Sequence, residues 1–279
     1  FKLDRFDLDA FVASTLAEDL GDHGDITSQA VIPADAIFTA SMRSREAVTV
    51  AGLPLAEAMF RALDPEVEIE TLVRDGDRAP AATELMRITG NARALLAAER
   101  SALNILQHLT GIATITRRYV DAIAGTGAIL LDTRKTIPGL RVLEKYATRM
   151  GGATNHRMRL DDAAMIKDNH VAVAGGITEA VRRAVAAGIA RIIVEVDRLD
   201  QIEPAIAGGA TNLLLDNMDA AMLAQAVAIV GGRVPTEASG GVTLETIAAK
   251  AASGVTYISV GRITQSAPAA DIGLDYAGF

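Results

Sequence analysis

The chain of 279 residues carries a formal net charge of −8 at pH 7, and half of its residues are hydrophobic while few are aromatic. This length allows one barrel domain, alone or with a small second domain, and the acidic balance argues against nucleic acid as a partner. The absence of cysteine excludes disulfides and thiolate metal sites. No apolar run approaches the roughly 20 residues of a membrane span. We therefore expect a cytoplasmic protein with no membrane partner.

The first part of the chain is expected to combine antiparallel strands with a long helix. The strand candidates, separated by turn residues, are 38–50, 66–72 and 84–90. An alanine- and leucine-rich helix is predicted over 92–109, and Gly111 is expected to interrupt it before a second helix over 112–124. We therefore place a domain boundary near residue 110.

From about residue 127, strand candidates alternate with helix candidates. The strand candidates are 128–132, 163–167, 191–196, 212–216, 234–238 and 257–260, and the helix candidates are 141–150, 178–187, 200–207, 220–229 and 244–252. This alternation predicts βαβ units and a parallel sheet. Because six strands are fewer than the eight of a full barrel, an incomplete (β/α) barrel and an open doubly wound sheet are both compatible with the pattern.

Charged or glycine-rich groups follow nearly every one of these strands. In α/β barrels and open sheets, ligands bind at the carboxyl ends of the strands, so these groups are expected to form one site. Taken singly, each could belong to a structural ion pair or a loop hydrogen bond; their succession at neighbouring strand ends favours a function. The groups are Arg134 and Lys135, Lys167, Glu195, Asp216, Ser239 to Gly241, and Gly261.

A basic stretch within this acidic chain indicates a site for a small polyanion. Residues 134–167 hold eight Lys and Arg side chains against three acids, a net charge of +5. Lys145 and Arg149 in this stretch are expected to lie on a solvated helix face. Arg157 is suited to gripping a carboxylate with two parallel hydrogen bonds, and His156 beside it could add a further donor.

Glycines at the last two strand ends indicate a phosphate cradle. Ser239, Gly240 and Gly241 lie between a strand and a helix, where glycine lets the backbone approach a ligand and the helix N-terminus offers free amides to an anion. Gly261 repeats this feature one strand later. Since Mg²⁺ takes one or two carboxylates together with substrate phosphates, Glu195 and Asp216 are predicted metal ligands. The alternative is that one of these acids only orients Lys167.

These segments together resemble the quinolinate phosphoribosyltransferase family. The likeness spans nearly the whole chain, and the first two of the runs quoted below are highly specific. One departure stands near the C-terminus, where Arg262 and Gln265 occupy positions at which the family often has a small residue and a histidine. The runs that carry the resemblance are Thr133–Arg141 (TRKTIPGLR), Ile166–His170 (IKDNH), Gly151–Gly152 with Asn155–Arg157 (GG and NHR), Val194–Val196, Leu215–Asn217, Glu237–Gly241 and Ile258–Gly261, preceded by Glu18–Gly21, Gly24–Thr27 and Glu99–Asn104.

The resemblance implies a fold and an activity. The fold would be an α/β one, with an N-terminal α/β sandwich domain over 1–110, joined by the C-terminal tail 266–279, and an incomplete (β/α) barrel over 111–265. The activity would be that of a type II phosphoribosyltransferase. It transfers the 5-phosphoribosyl group from phosphoribosyl pyrophosphate to quinolinate with decarboxylation, giving nicotinate mononucleotide, pyrophosphate and CO2 on a route to NAD.

The resemblance also implies roles for individual residues. Around the quinolinate carboxylates it places Arg134, His156, Arg157 and Lys167. Around phosphoribosyl pyrophosphate and its Mg²⁺ it places Lys135, Glu195, Asp216, Ser239, Gly240 and Gly261, of which the first three would be catalytic. Arg100 would enter the site from the neighbouring subunit, so a homo-oligomer with shared sites, a dimer or a dimer-based hexamer, is expected.

Three other functions are compatible with parts of the pattern. A sister transferase acting on nicotinate or another carboxylated heterocycle would need fewer cations around its base. A Schiff-base aldolase using Lys167 would need an apolar pocket and a neighbour that lowers the pKa of the lysine. A phosphate-binding module without catalysis would explain Ser239 to Gly241 but would leave Lys135, Glu195 and Asp216 without a task.

Overall fold

A computed structural model describes residues 1–276 of the chain, which divide into two compact units. The first unit comprises residues 1–115, 142–151 and 267–276, and the second comprises 116–141 and 152–266. The last three residues of the tail that was predicted to join the N-terminal domain, 277–279, lie outside the described residues. The chain thus passes between the two units several times, and the domain boundary near residue 110 stays a prediction.

Helices and strands are mixed up to residue 122, and after it they mostly alternate. Up to residue 122 they are α1 (Leu8–Leu20), α2 (Ile26–Val31), β1 (Ile37–Ser44), β2 (Val48–Thr49), α3 (Leu53–Leu63), β3 (Glu68–Thr71), β4 (Arg78–Ala79), β5 (Glu84–Asn91) and α4 (Ala92–Ala122). The remaining elements are β6 (Ile129–Leu131), α5 (Arg141–Met150), β7 (Ala164–Ile166), α6 (Asp168–Ala174), α7 (Ile177–Ala186), β8 (Ile192–Val196), α8 (Ile202–Gly208), β9 (Asn212–Asp216), α9 (Ala220–Val230), β10 (Thr236–Ser239), α10 (Leu244–Ala251), β11 (Tyr257–Ser259), α11 (Arg262–Gln265) and β12 (Ile272–Tyr276).

The first unit is built on a four-stranded antiparallel sheet in the order β12-β1-β5-β3. Alternate residues such as Met42, Met86 and Ile88 face a core that also contains Phe60 of α3 and Leu95 of α4, all fully buried. The strands predicted at 66–72 and 84–90 are confirmed. The segment predicted as one strand over 38–50 is instead two strands. The chain leaves the four-stranded sheet after Ser44, the end of β1, and the following β2 pairs with β4.

The predicted helix break at Gly111 is wrong. A single helix, α4, runs from Ala92 to Ala122. A Cβ atom at Gly111 would lie 2.0 Å from the carbonyl oxygen of Pro268, which packs directly against the helix backbone. Gly111 therefore provides room for a neighbouring segment and does not end the helix, because a glycine inside a helix costs only about 1 kcal/mol relative to alanine.

The second unit contains six parallel strands in the order β6-β11-β10-β9-β8-β7. From β7 to β11, strands that follow one another are neighbours, while β6, the first of the six, pairs with β11, the last, and not with β7. This closing pair is typical of a barrel, whereas a doubly wound sheet reverses its strand order near the middle. The second unit is thus an incomplete (β/α) barrel, and the open-sheet alternative is wrong.

Strand residues in this barrel alternate between two environments. Leu213, Leu215 and Val194 are fully buried on the side that faces the helices, while Ile193 and Leu214 join a small apolar cluster inside the barrel. All six predicted strands and all five predicted helices of this region are confirmed, with ends shifted by at most two residues. The short helices α6 and α11 were not predicted. Lys145 of α5, expected on a solvated helix face, is fully buried, whereas Arg149 of the same helix is exposed as expected. Among residues 1–276, no helix is long and apolar enough to cross a membrane.

Candidate active site

A cavity of about 620 Å³ lies at the carboxyl ends of the barrel strands, entirely within the second unit. It gathers ten of the eleven residues that the sequence indicated. They are Arg134, Lys135, His156, Arg157, Lys167, Glu195, Asp216, Ser239, Gly240 and Gly261. The exception, Arg100, is exposed on α4 in the first unit. Burial raises the pKa of the adjacent Glu99 and the positive charge of Arg100 opposes that rise.

Strand register explains why residues far apart in sequence meet in this cavity. In neighbouring strands Glu195 lies opposite Leu214, which lies opposite Glu237, while Asp216 lies opposite Ser239. Because side chains two residues apart in a strand share a face, Leu214 and Asp216 point to the same side. The polar positions therefore form a rim directly above the apolar cluster inside the barrel.

Lys135 is held on its loop by contacts from two strand ends. Its backbone N–H donates to Oγ1 of Thr133 at 3.0 Å, and its carbonyl accepts from Oγ1 of Thr264 at 2.7 Å. A Cβ atom on Gly261 would lie 2.8 Å from Cδ of Lys135, so the absence of a side chain at residue 261 leaves room for the lysine. The loop after β6 and the loop after β11 are thus built against each other.

Arg141 ties this same loop to the segment that carries Arg157. Its Nε donates to Oγ1 of Thr136 at 3.0 Å and its Nη2 to the carbonyl of Arg134 at 3.4 Å. The third contact runs from Nη1 to the carbonyl of Met158 at 3.1 Å. One guanidinium therefore fixes the spacing between two basic segments of the cavity wall.

Asp132 and Glu237 hold the Asn155–His156 segment inside the barrel. Asp132, fully buried, accepts hydrogen bonds from Nδ2 of Asn155 at 2.5 Å and from the backbone N–H of His156 at 2.8 Å. Nδ1 of His156 accepts from the backbone N–H of Arg157 at 2.7 Å, so Nε2 carries the hydrogen and donates to Oε2 of Glu237 at 3.2 Å. Since both ring nitrogens are engaged within the protein, the role of His156 as a donor to substrate stays a prediction.

Arg157 and Arg134 place two guanidinium groups close together. Arg157 is 9% exposed and donates to the carbonyl of Ala163 at 3.0 Å and to Sδ of Met165 at 3.5 Å. Burial lowers the pKa of Arg157, and the positive charge of Arg134 lowers it further. Keeping two like charges together in a partly desolvated place is unfavourable unless an anion is bound there.

A second cavity of about 500 Å³ adjoins the first. The two share Arg134, Arg157, Met165 and Lys167, and no acidic side chain lines the second one among residues 1–276. This wall is therefore a cationic partition with an apolar thioether on it. Such a surface suits a flat aromatic ring that carries carboxylates.

The two predicted metal ligands differ in their surroundings. Glu195 forms an ion pair with Lys167, with Nζ 2.9 Å from Oε2. This contact is compatible with the alternative in which the acid only orients Lys167. Asp216 accepts from Nδ2 of Asn217 at 2.7 Å through Oδ2. Residues 1–276 contain no group of three or more His, Cys, Asp or Glu that could hold a metal ion by themselves. This donor set fits a Mg²⁺ ion that shares its ligands with substrate phosphates.

The glycine loop after β10 has the geometry of an anion cradle. Gly240 and Gly241 both have positive φ, +83° and +59°. A Cβ atom on Gly240 would lie 2.2 Å from Oδ1 of Asn217, while one on Gly241 would meet nothing within 4 Å. The loop leads into α10 through the N-cap residue Thr243, which also lines the cavity.

Several residues of the site had no role assigned from sequence. Asp132 and Glu237 stand at or near strand ends, a position that could have indicated them, whereas Asn212 lies at the start of β9 and carries no such signal. Asn212 donates through Nδ2 to Oε2 of Glu237 at 3.3 Å. Oδ1 of Asn212 and Oε1 of Glu237 are buried without a hydrogen-bond partner among the described residues. Each of these two oxygen atoms therefore lowers the stability of the fold by its uncompensated desolvation cost.

The fold and the cavity together define a class of protein: an incomplete α/β barrel with a cationic cleft and a glycine loop at its strand ends. Family models narrow this class. The C-terminal domain of quinolinate phosphoribosyl transferase matches residues 112–275, and the N-terminal domain of the same family matches residues 25–110. The chain belongs to the quinolinate phosphoribosyltransferase family.

Individual relatives agree with this assignment over most of their length. The chain is 43% identical to the nicotinate-nucleotide pyrophosphorylase [carboxylating] of Mycobacterium leprae, covering 95% of each chain. It is 41% identical to the chloroplastic nicotinate-nucleotide pyrophosphorylase [carboxylating] of Arabidopsis thaliana, covering 96% of this chain and 82% of the relative. Among solved structures it is similar to NadC from Streptococcus pyogenes, with a TM-score of 0.93, 37% identity and 99% coverage of both chains.

The rival functions fit the geometry less well. Lys167 is exposed and ion-paired with Glu195, whereas a Schiff-base lysine needs a desolvated setting that favours its neutral form. The structure of human nicotinic acid phosphoribosyltransferase is similar with a TM-score of 0.67, yet at 14% identity this likeness is one of fold alone. A purely binding module is disfavoured by carboxylates and a lysine placed together on the cavity rim.

Proposed function

We propose that the protein transfers the 5-phosphoribosyl group of phosphoribosyl pyrophosphate to quinolinate and releases pyrophosphate and CO2, leaving nicotinate mononucleotide. The main observation in support is that Arg134, Arg157 and Lys167 form a cationic partition between the two cavities, beside the glycine cradle. The chain as a whole has a net charge of −8. Two strongly anionic substrates need such a local basin in an acidic protein. The family membership supports the same reaction.

The partition suits the dicarboxylate, and the cradle suits the phosphoribosyl group. Arg134, Arg157 and Lys167 line both cavities, so a ring lying against them can offer a carboxylate to more than one cation. Ser239 to Gly241, together with Gly261, line the cavity, and the open space beside Gly241 suits the 5-phosphate. The reacting nitrogen and the ribose carbon then meet where the two regions join.

Mg²⁺ is the cofactor proposed for this site, with Asp216 and Glu195 as its protein ligands. When bound with pyrophosphate oxygens, the ion would neutralise charge on the leaving group. Asp216 is the better placed of the two carboxylates, because Glu195 is already paired with Lys167 at 2.9 Å. A purified protein without substrate should therefore bind the ion weakly.

The chain's own residues can promote the transfer without a protein nucleophile. The pyridine nitrogen forms the new bond to the ribose carbon as the bond to pyrophosphate breaks, and positive charge develops on the sugar. The carboxylates of Glu195 and Asp216 stabilise that charge, and the ammonium of Lys135 stabilises the departing pyrophosphate. When CO2 departs from the carbon next to the nitrogen, the electron pair of the broken C–C bond stays on that ring carbon. The adjacent quaternary nitrogen stabilises this negative charge until the carbon takes up a proton.

We further propose a homo-oligomer, a dimer or a dimer-based hexamer, in which Arg100 completes the partner's site. The support is that Arg100 is exposed on α4 and has no place among the residues that line the cavity of the second unit. A cytoplasmic location is proposed as well. The printed names of several plant relatives give chloroplastic or mitochondrial locations, so cell fractionation with an antibody against the chain is the direct test.

The test of the reaction is a competition assay. Purified protein is incubated with phosphoribosyl pyrophosphate, Mg²⁺ and equal concentrations of quinolinate and nicotinate, the former labelled in the carboxylate next to the nitrogen. We expect labelled CO2 and nicotinate mononucleotide in equal amounts, with nicotinate consumed little. Equal use of both acids, or mononucleotide formed without CO2, would assign the protein to a sister transferase instead.

A further inference from the structure

Lys250 is a buried cation that the reaction described above does not use. It lies on α10 with 8% of its surface exposed, and its Nζ donates to the carbonyl of Met218 at 2.6 Å. Burial lowers the pKa of Lys250, while the negative charges of Asp219 and Asp216 oppose that shift. Because lysine is almost never buried without a partner, this placement calls for a physical reason.

Met218 belongs to the loop that carries Asp216. The intervening residue, Asn217, has a left-handed backbone with φ of +56°, a conformation that non-glycine residues rarely adopt. Its backbone N–H donates to the carbonyl of Ser239 at 3.0 Å, and its Nδ2 donates to the carboxylate of Asp216 at 2.7 Å. Lys250 grips the carbonyl one residue further along, so it can stabilise this unusual backbone turn.

The loop after β10 is shaped to fit the same turn. Oδ1 of Asn217 occupies the space where a side chain at residue 240 would begin, 2.2 Å from a Cβ atom built on Gly240. Lys250 lies on α10, the helix that this glycine loop enters. A single buried ammonium therefore connects the helix behind the predicted phosphate cradle to the loop that aims the carboxylate of Asp216.

We propose that Lys250 is a positioning residue for Asp216: by holding the Met218 carbonyl, it keeps Asn217 in the conformation from which its amide orients the Asp216 carboxylate. The inference rests on the proposed function only for what Asp216 does, namely bind phosphoribosyl pyrophosphate with Mg²⁺. Outer residues that orient a metal-binding group typically change affinity or activity by about 10–100-fold when removed. A lysine that served packing alone would instead change stability and leave substrate affinity as it was.

The experiment compares Lys250→Met, which keeps much of the length but lacks the ammonium, with Lys250→Arg, which keeps a cationic donor. Binding of phosphoribosyl pyrophosphate with Mg²⁺ is measured by calorimetry, and initial rates give kcat and the KM of each substrate. For folded Lys250→Met, judged by circular dichroism and thermal melting, we expect about 10–100-fold weaker binding of phosphoribosyl pyrophosphate and little change in the KM of quinolinate. Lys250→Arg should recover most of the affinity. The matched control is Lys2→Met, which removes an exposed lysine.

Asn217→Gly tests the route of the effect and covers the case in which Lys250→Met does not fold. Glycine adopts the left-handed turn without strain but lacks the amide that orients Asp216, so it should weaken the same binding. If Lys250 acts through Asn217, the double variant Lys250→Met with Asn217→Gly should bind phosphoribosyl pyrophosphate no more weakly than the weaker-binding single variant. The reason is that the free-energy changes of two coupled residues do not add. Wild-type affinity in folded Lys250→Met, or full additivity in the double variant, overturns the proposal. Failure of the wild type to form nicotinate mononucleotide while it binds phosphoribosyl pyrophosphate would overturn the proposed function alone.

Discussion

Gly240→Ala measures how closely the glycine cradle is built around Asn217. The substituted Cβ atom would lie 2.2 Å from Oδ1, 2.7 Å from Cγ and 2.8 Å from the backbone N of Asn217. Two costs add at this position. An L-residue in the left-handed region costs roughly 1–2 kcal/mol, and forcing an extra methyl group into filled space costs about 1–3 kcal/mol. We expect the free energy of unfolding to fall by roughly 2–5 kcal/mol.

The neighbouring Gly241 supplies a matched control. Its φ of +59° imposes the same backbone restriction, but a Cβ atom there would meet nothing within 4 Å. Gly241→Ala should therefore lose only the conformational part, roughly 1–2 kcal/mol. The difference between the two variants isolates the collision with Asn217 from the cost of the left-handed backbone.

Urea unfolding and substrate kinetics read out the two effects separately. Gly240→Ala has to displace Asn217, whose Nδ2 holds the Asp216 carboxylate at 2.7 Å, so the KM of phosphoribosyl pyrophosphate should rise much more in Gly240→Ala than in Gly241→Ala. Equal losses of stability together with equal KM values would refute the reasoning, because they would mean that the loop relaxes without moving Asn217.

Four further predictions test other parts of the structure. Gly261→Ala introduces no backbone strain, since φ at residue 261 is −72°, but the added Cβ atom would displace Lys135. We expect kcat to fall roughly 10–100-fold with an unchanged melting temperature. An unchanged kcat would contradict this placement of Lys135. Arg100→Ala and Lys135→Ala, each inactive alone, should regain partial activity after subunit exchange, and no regain despite demonstrated exchange would exclude shared sites. Gly111→Ala should destabilise the fold by about 1–3 kcal/mol or more in urea unfolding because of Pro268, although alanine in an open helix would gain about 1 kcal/mol; a more stable variant would be inconsistent with the close contact. Chelation should abolish turnover until Mg²⁺ is restored, and stoichiometric zinc recovered from the chelator-treated protein would argue against a substrate-borne metal.

The barrel half of the fold was predictable from sequence because its signals are local. Each strand is a short apolar run bounded by turn residues, and each helix ends near glycine, so the strand at 212–216 was placed without error. Strand ends in a parallel sheet all lie at one edge, and Lys167, Glu195 and Asp216 could therefore be grouped before any coordinates were known. An open doubly wound sheet and an incomplete barrel were not separable from sequence, because the pairing of β6 with β11 joins segments more than 120 residues apart.

The remaining errors and omissions come from long-range contacts that leave little trace in a local pattern. Gly111 was taken as a helix break because nothing near it in sequence shows that Pro268 packs against it. The hydrogen bonds that engage both ring nitrogens of His156 were not predicted, since Glu237, its partner across the barrel, lies 81 residues away. Lys145 was expected to lie on a solvated helix face, and only the packing of α5 shows that it is fully buried.

Charge distribution accounts for the way an acidic chain can hold two anions. Positive charge from Arg134 lowers the pKa of Arg157 after burial has already lowered it, so the ligand-free site keeps cations together at a free-energy cost. One of the cations is partly compensated, since Lys167 pairs with Glu195 at 2.9 Å. An arriving carboxylate must compete with Glu195 for Lys167, while it meets no such competitor in the second cavity among the described residues. A ligand with two carboxylates can satisfy both places at once, and a monocarboxylate leaves one of them uncompensated, which is the physical basis for preferring quinolinate.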